Sequence, residues 1–114
     1  MKLDELSKLG RLETEFEVVK GLKVKLHTLS MSEQHRALTS VPVTLNDATG
    51  QFHHLQRALL VEATESVNDE KPSKEELTKF YSDLQESIFQ EIASKYTTLL
   101  QDSNTTLEEL KKKN

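Results

Sequence analysis

Residues 12–28 read LETEFEVVKGLKVKLHT, and this stretch decides the fold. Apolar and polar residues alternate with period two over 12–18 and again over 22–28, as they do in half-buried β-strands. The segment 19–21 lies between the two runs and ends in Gly21, which suits the left-handed position of a three-residue hairpin loop. The stretch therefore predicts an N-terminal β-hairpin with strands over 12–18 and 22–28.

Side-chain chemistry predicts the register of this hairpin. Pairing Val18 with Leu22 places two further pairs on one apolar face, Phe16 with Val24 and Thr14 with Leu26. A shift by one residue would exchange the core face with the solvent face, so this register is strongly favoured. The opposite face then carries three acid–base pairs: Glu17 with Lys23, Glu15 with Lys25, and Glu13 with His27.

The residues around the hairpin favour helices. Leucines at positions 3, 6 and 9 predict a short helix over 1–10 that ends at Gly10. Ser30 with Glu33 three residues later is a capping box, and it predicts a helix from Ser30 to about Ser40, before Pro42. We expect a linker at 41–47.

Two longer helices are predicted after the linker. The first begins at Asn46 or Asp47 and runs to about Val67, because apolar residues recur along it at helical spacing. A polar loop follows at 68–73. A second capping box, Ser73 with Glu76, begins a long amphipathic helix that reaches about residue 101. An interruption at 102–104 and a last helical turn through Leu107 and Leu110 complete the chain.

The sequence therefore indicates an α+β fold that is mostly α. The 114 residues suffice for one domain, 1–114, with a short helix and hairpin in 1–29 and a helical part in 30–114. That helical part holds three to four helices, the last long and amphipathic. No apolar run is long enough for a membrane span, and the N-terminus lacks the apolar stretch of a signal peptide.

Composition argues against several functions. The chain has no cysteine, which excludes disulfides and thiolate chemistry, and its net charge of −4 disfavours nucleic-acid binding. The four histidines, at 27, 35, 53 and 54, lack the spacing of a zinc site and are interpreted as solvated polar residues. No serine-nucleophile motif or glycine-rich phosphate loop is present. We predict no catalytic, metal or cofactor-binding residue and no enzyme activity.

One part of the long helix has the character of a binding surface. Its apolar positions cover an arc of about 220°, wider than one core contact requires. Either the helix bends around its own core, or the second stripe meets another chain. For the second case, the candidate partner-binding residues are Phe89, Ile92, Ala93, Tyr96 and Leu100.

The order of these elements resembles a known family. A charged hairpin, the segment Val24–Glu33 with its Leu29-Ser30 step, and three helices with a polar break before Ser73 resemble the small tail assembly chaperones of long-tailed bacteriophages. The resemblance covers most of the chain. It lies in the order and general character of the elements, because no single residue in it is diagnostic.

The resemblance implies a function and a place of action. Such a chaperone would bind the tape-measure protein and the tail-tube subunit in the host cytoplasm, then leave before the tail is complete. Members of the family are often made in a short and a frameshifted long form, and the lysines at 111–113 would then reflect an A-rich slippery codon run. The mechanism would be the covering of apolar helix surface. Independently of the resemblance, the second apolar stripe would also fit a homo-oligomer.

Two other functions remain open at this point. A small structural subunit of the virion, in the baseplate, neck or tail-completion complex, would also be compact, cysteine-free and without catalysis, and would be located in the virion tail. A regulatory or nucleic-acid-binding module is disfavoured by the acidic balance and by the lack of a basic recognition helix.

Overall fold

A computed structural model describes residues 1–42 and 47–112, and within them the chain has a mostly helical α+β fold. The predicted helix start at Asn46, most of the linker at 41–47, and Lys113 lie outside the described residues. In chain order the elements are α1 (Leu3–Leu6), β1 (Glu13–Val19), β2 (Leu22–His27), α2 (Met31–Thr39), α3 (Ala48–Ala63), β3 (Thr64–Val67), α4 (Lys74–Asp83) and α5 (Glu86–Lys112).

The predicted hairpin forms, and its register is confirmed from Glu13 to Glu17. Phe16 pairs with Val24, and Glu17 pairs with Lys23. The predicted pair Val18–Leu22 is wrong, because Leu22 pairs with Val19 and Val18 is an extra residue in β1. This bulge keeps both faces in phase while it shortens the loop to two residues. The second of them, Gly21, has φ +91°, a conformation that disfavours side chains.

The charged face of the hairpin forms its ion pairs along diagonals. Lys25 Nζ lies 3.2 Å from a carboxylate oxygen of Glu13, and Lys23 Nζ lies 4.0 Å from one of Glu15. Lys23 also reaches Asp69, at 3.0 Å. Long lysine side chains span the diagonal distance between strands readily. Because these groups are exposed, the pairs favour the register more than they stabilise the fold.

A third strand replaces the end of the predicted second helix. That helix was expected to reach Val67, but α3 ends at Ala63 and the chain continues as β3, antiparallel to β2, in a sheet of order β1-β2-β3. Asn68, at φ +50°, fixes the end of β3. Its backbone N–H donates to the Lys23 carbonyl at 2.8 Å, and its side-chain oxygen accepts from the Lys23 N–H at 2.8 Å. Pairing with a distant strand therefore overrides the local helical pattern.

The predicted single helix over 73–101 is two helices. The chain leaves helical conformation at Leu84, where ψ is 146°, and resumes it at Glu86. The predicted interruption at 102–104 is absent, since α5 runs without a break to Lys112. Three aromatic rings meet at the break between α4 and α5. Tyr81 contacts Phe80 at 5.2 Å and Phe89 at 5.9 Å between centroids, both edge to face.

Helix starts agree with the sequence better than helix ends. Both predicted capping boxes are present, with Ser30 accepting from the Glu33 N–H and Ser73 from the Glu76 N–H. Asp47 caps α3 through the N–H of Gly50. The first helix is shorter than the predicted 1–10, because α1 spans only Leu3–Leu6 and makes few contacts that would support a longer helix.

The core lies between the apolar face of the sheet and the helices. The first half of α5 crosses that face and contacts β1 and β2, while α3 contacts both α2 and α4. The residues that are buried together are Val24, Leu26, Leu60, Val61, Ala63, Leu77, Tyr81, Ile92, Ala93, Tyr96 and Leu99.

Candidate functional site

The five sequence-predicted partner-binding residues lie on one side of α5 but in different environments. Ile92, Ala93 and Tyr96 are buried in the chain's own core. Phe89 is half-buried at the edge of that core, and Leu100 is 38% exposed. Partner binding by these residues stays a prediction. Only Phe89 and Leu100 would be accessible to a partner while the core remains intact.

The break at Leu84 explains the wide apolar arc of the predicted long helix. The arc assumed one continuous helix, so the stripes before and after residue 84 appeared on different sides of it. In the structure α4 and α5 each direct a single stripe to the core, with Leu77 and Tyr81 buried on α4 and Ile92 and Leu99 buried on α5. Packing against the chain's own core therefore accounts for this part of the arc.

The same stripe continues along α5 after the core ends. Leu100 and Leu107 are one heptad apart, so they share a side of the helix with Ala93, and Leu110 follows one turn later. Their exposed fractions are 38%, 50% and 36%. No described residue after Leu99 is buried on α5. We name these three leucines, Leu100, Leu107 and Leu110, the distal strip.

The distal strip is carried on a free length of helix. At 1.5 Å per residue, the segment from Leu100 to Lys112 is about 20 Å long. The segment also carries charges of both signs, and Lys111, one turn after Leu107 and beside the strip, forms an ion pair with Glu108 at 3.5 Å. Such a segment has one apolar and one polar side, which is the form that a helix-binding groove or a partner helix recognises.

A second exposed apolar group lies at the other end of the chain. Leu3 and Leu9 are 83% and 60% exposed, and Leu6 is 41% exposed. With a helix of only one turn, this group lacks a fixed shape. The distal strip is therefore the better-defined apolar surface.

Sequence analysis missed a buried polar cluster at His27. His27 was interpreted as solvated, but only 4% of it is exposed, because Glu33 and Glu65 cover the end of β2. Its Nδ1 lies 2.8 Å from the Thr28 carbonyl oxygen, which can only accept, so Nδ1 carries the proton. Its Nε2 lies 3.8 Å from both carboxylates. The capping box at Ser30 was the available signal, since it places Glu33 just after β2.

The electrostatics of this cluster extend to the core face of α5. Burial opposes the ionisation of Glu33, but hydrogen bonds from the Ser30 backbone N–H and hydroxyl, together with the nearby His27, outweigh it and lower its pKa. The pKa of the Tyr96 hydroxyl is raised by burial and by the Glu33 carboxylate. The cluster therefore links the start of α2, the end of β2 and the packed half of α5.

The described residues form neither a metal site nor a membrane-spanning helix. Over 1–42 and 47–112, no group of three or more histidine, aspartate or glutamate side chains is arranged to hold a metal ion. None of the described helices combines the length and the apolar character needed to span a membrane.

Comparisons of the chain with protein-family models, with curated proteins and with solved structures found no match.

Proposed function

We propose that this chain is an assembly chaperone of long-tailed bacteriophages that binds the tape-measure protein, the tail-tube subunit or both during tail morphogenesis. The distal strip is the observation that carries the proposal. It is an apolar surface with heptad spacing on the second half of α5, and the chain's own core does not cover it.

The proposed mechanism is the covering of one helix by another. A tape-measure protein is long and largely helical in this family, and its apolar side would aggregate before the tail tube encloses it. The distal strip offers Leu100, Leu107 and Leu110 at spacings of seven and three, which are the anchors of helix–helix recognition. The packed half of α5 would hold the free half in helical form and so reduce the entropy lost on binding.

The outer edge of β1 favours a second candidate. Among the described residues β1 pairs only with β2, so its other edge can pair with a strand of another subunit, whereas Val67 at the end of β3 already pairs with Glu70. Edge pairing gives a permanent contact, as a small structural subunit of the baseplate, neck or tail-completion complex would need.

Mass spectrometry of producing cells and of purified particles separates the two candidates. We expect the protein to be abundant in the lysate and missing from particles. A fixed stoichiometry in the particles would contradict the chaperone function and favour the structural subunit.

A matched pair of variants then tests the distal strip. The double variant L107S and L110S should fold as the wild type does, lose capture of the tape-measure protein from the lysate and reduce the number of tails. The control is M31S with L38S, which removes two exposed apolar side chains of α2, 81% and 56% exposed, at a distance from α5 in the chain. Equal capture by both variants would refute the role of the distal strip.

A further inference from the structure

A cleft lies where α2, α3 and α4 meet, on the part of the molecule that the proposed function does not use. Its volume is about 290 Å³. Three cationic side chains and one carboxylate line it, and its wall also contains small apolar side chains: Ala37, Ala58 and Val61. We name it the Glu62 cleft, after the carboxylate.

Glu62 organises two of the three cations. It is 7% exposed, and its Oε1 accepts hydrogen bonds from Arg36 Nε at 3.2 Å and Nη2 at 3.0 Å. Lys74 Nζ lies 3.8 Å from the same oxygen and donates to the Val61 carbonyl at 3.4 Å. A buried carboxylate needs a cationic partner, and Arg36 meets this need through two N–H groups that donate to one oxygen. Arg36 alone neutralises the charge of Glu62, so the positive charge of Lys74 is in excess.

Arg57 supplies a third positive charge. Among the described residues, no carboxylate lies within 4 Å of its guanidinium group, and its Nη2 lies 3.4 Å from His54 Nδ1. His54 Nε2 lies 3.5 Å from Ser40 Oγ, whose own proton is donated to the Ala37 carbonyl at 2.7 Å. The Ser40 oxygen therefore accepts from Nε2–H, which leaves the Nδ1 lone pair for Arg57. This chain of hydrogen bonds holds Arg57 at the cleft, and its other N–H groups make no hydrogen bond to the part of the chain that the structure describes.

The charges in the cleft do not balance. Arg36, Arg57 and Lys74 give three positive charges against one negative charge from Glu62, on a chain of net charge −4. Positive charges that converge in a concave space repel one another, and a bound anion relieves that repulsion. The planar fork of an arginine matches a carboxylate in particular.

We propose that the Glu62 cleft is a binding site for a carboxylate ligand, held by the guanidinium group of Arg57 and the ammonium group of Lys74. The small apolar side chains beside the cations accommodate a short methylene stem, as in succinate or a glutamate side chain. The two sources of this chemistry are a free dicarboxylate and an acidic side chain of a protein segment.

NMR titration of the full chain tests the site with two probes, sodium succinate and the capped dipeptide acetyl-Glu-Glu-amide. We expect saturable shifts at the backbone amides of Ser40, His54 and Arg57, with sodium chloride of equal ionic strength as the reference. Saturation by succinate assigns the site to free dicarboxylates, and saturation by the dipeptide alone assigns it to protein segments. Identical shifts with chloride, or tighter binding of inorganic phosphate than of either probe, would refute the proposal.

Variants of equal charge change locate the site. R57Q and K74Q should each weaken binding at least tenfold. K20Q, in the exposed hairpin loop, should bind as the wild type does. K74Q acts from α4 and R57Q from α3, so one informative variant remains if the other fails to fold. Equal weakening by K20Q would mean that only the net charge of the chain matters, and the site would be rejected.

Discussion

The two halves of α5 have the same apolar pattern and opposite environments. Between Glu86 and Leu99 the stripe packs on the sheet, and Ile92 is completely buried. Between Leu100 and Lys112 the stripe continues at the same spacing, and half of Leu107 is exposed. An amphipathic pattern therefore specifies that a helix has an apolar side and does not specify which surface covers that side.

The largest expected effect distinguishes the two halves by stability. Ile92→Ala removes a buried side chain and leaves a cavity, and we expect the free energy of unfolding to fall by about 3 kcal/mol. Leu107→Ala, on the free half, should change it by less than about 0.5 kcal/mol. Urea unfolding followed by circular dichroism measures both. Similar losses in the two variants would mean that the free half is packed in solution.

The second effect concerns the aromatic contact that anchors the packed half. Tyr81 is buried, its hydroxyl lies 2.6 Å from Thr64 Oγ1, and burial raises its pKa from 10 to about 12. The folded state holds this proton more tightly than the unfolded state does. The contribution of Tyr81 to stability is therefore fully present below pH 10 and is lost as the pH rises through about 12, a loss of up to about 3 kcal/mol.

Two tyrosine variants check this prediction by urea unfolding at pH 8 and pH 11.5. Tyr81→Phe should cost about 1 kcal/mol at pH 8, because Thr64 loses a hydrogen-bond donor, and it should flatten the alkaline decline. Tyr96→Phe is the matched control, since the pKa of that hydroxyl is also raised. It should flatten the decline less. A decline that is unchanged in Tyr81→Phe would exclude Tyr81 as its cause.

The sequence predicts an element of this fold well when the residues that determine the element lie close together in the chain. The hairpin and the capping boxes were predicted because their signals are local: alternation, a glycine in the loop, and Ser with Glu three residues later. β3 was missed because a four-residue strand needs a partner elsewhere in the chain, here β2. A signal was present in Asn68 and Asp69, two adjacent residues that tolerate positive φ and end a strand well.

The break between α4 and α5 had no comparable signal. Neither glycine nor proline stands near Leu84, and the helical pattern passes through it. The contact of Tyr81 with Phe89 across the break is visible only in three dimensions. For the same reason the sequence placed Ile92, Ala93 and Tyr96 on a candidate binding surface, although the sheet covers them.

The smallest effect tests the polar cluster beside Tyr96. Glu33→Gln retains the capping-box geometry, because glutamine also serves at that position, and removes the charge that faces His27. The pKa of Glu33 is lowered in the folded state, so its contribution to stability is present above the unfolded value of 4.5 and is lost as the pH falls through the folded value. We expect a loss of about 0.5 kcal/mol at pH 7, allowing for solvent screening, and a smaller difference from the wild type at pH 3.

Urea unfolding at the two pH values measures this difference, with Glu76→Gln as the control. Glu76 occupies the same position in the second capping box and its pKa is also lowered by its serine, but no histidine faces it. A larger loss at pH 7 in Glu33→Gln than in Glu76→Gln assigns the excess to the His27 cluster. Equal losses would mean that the capping box alone accounts for the charge effect, and that the cluster adds nothing to the packed half of α5.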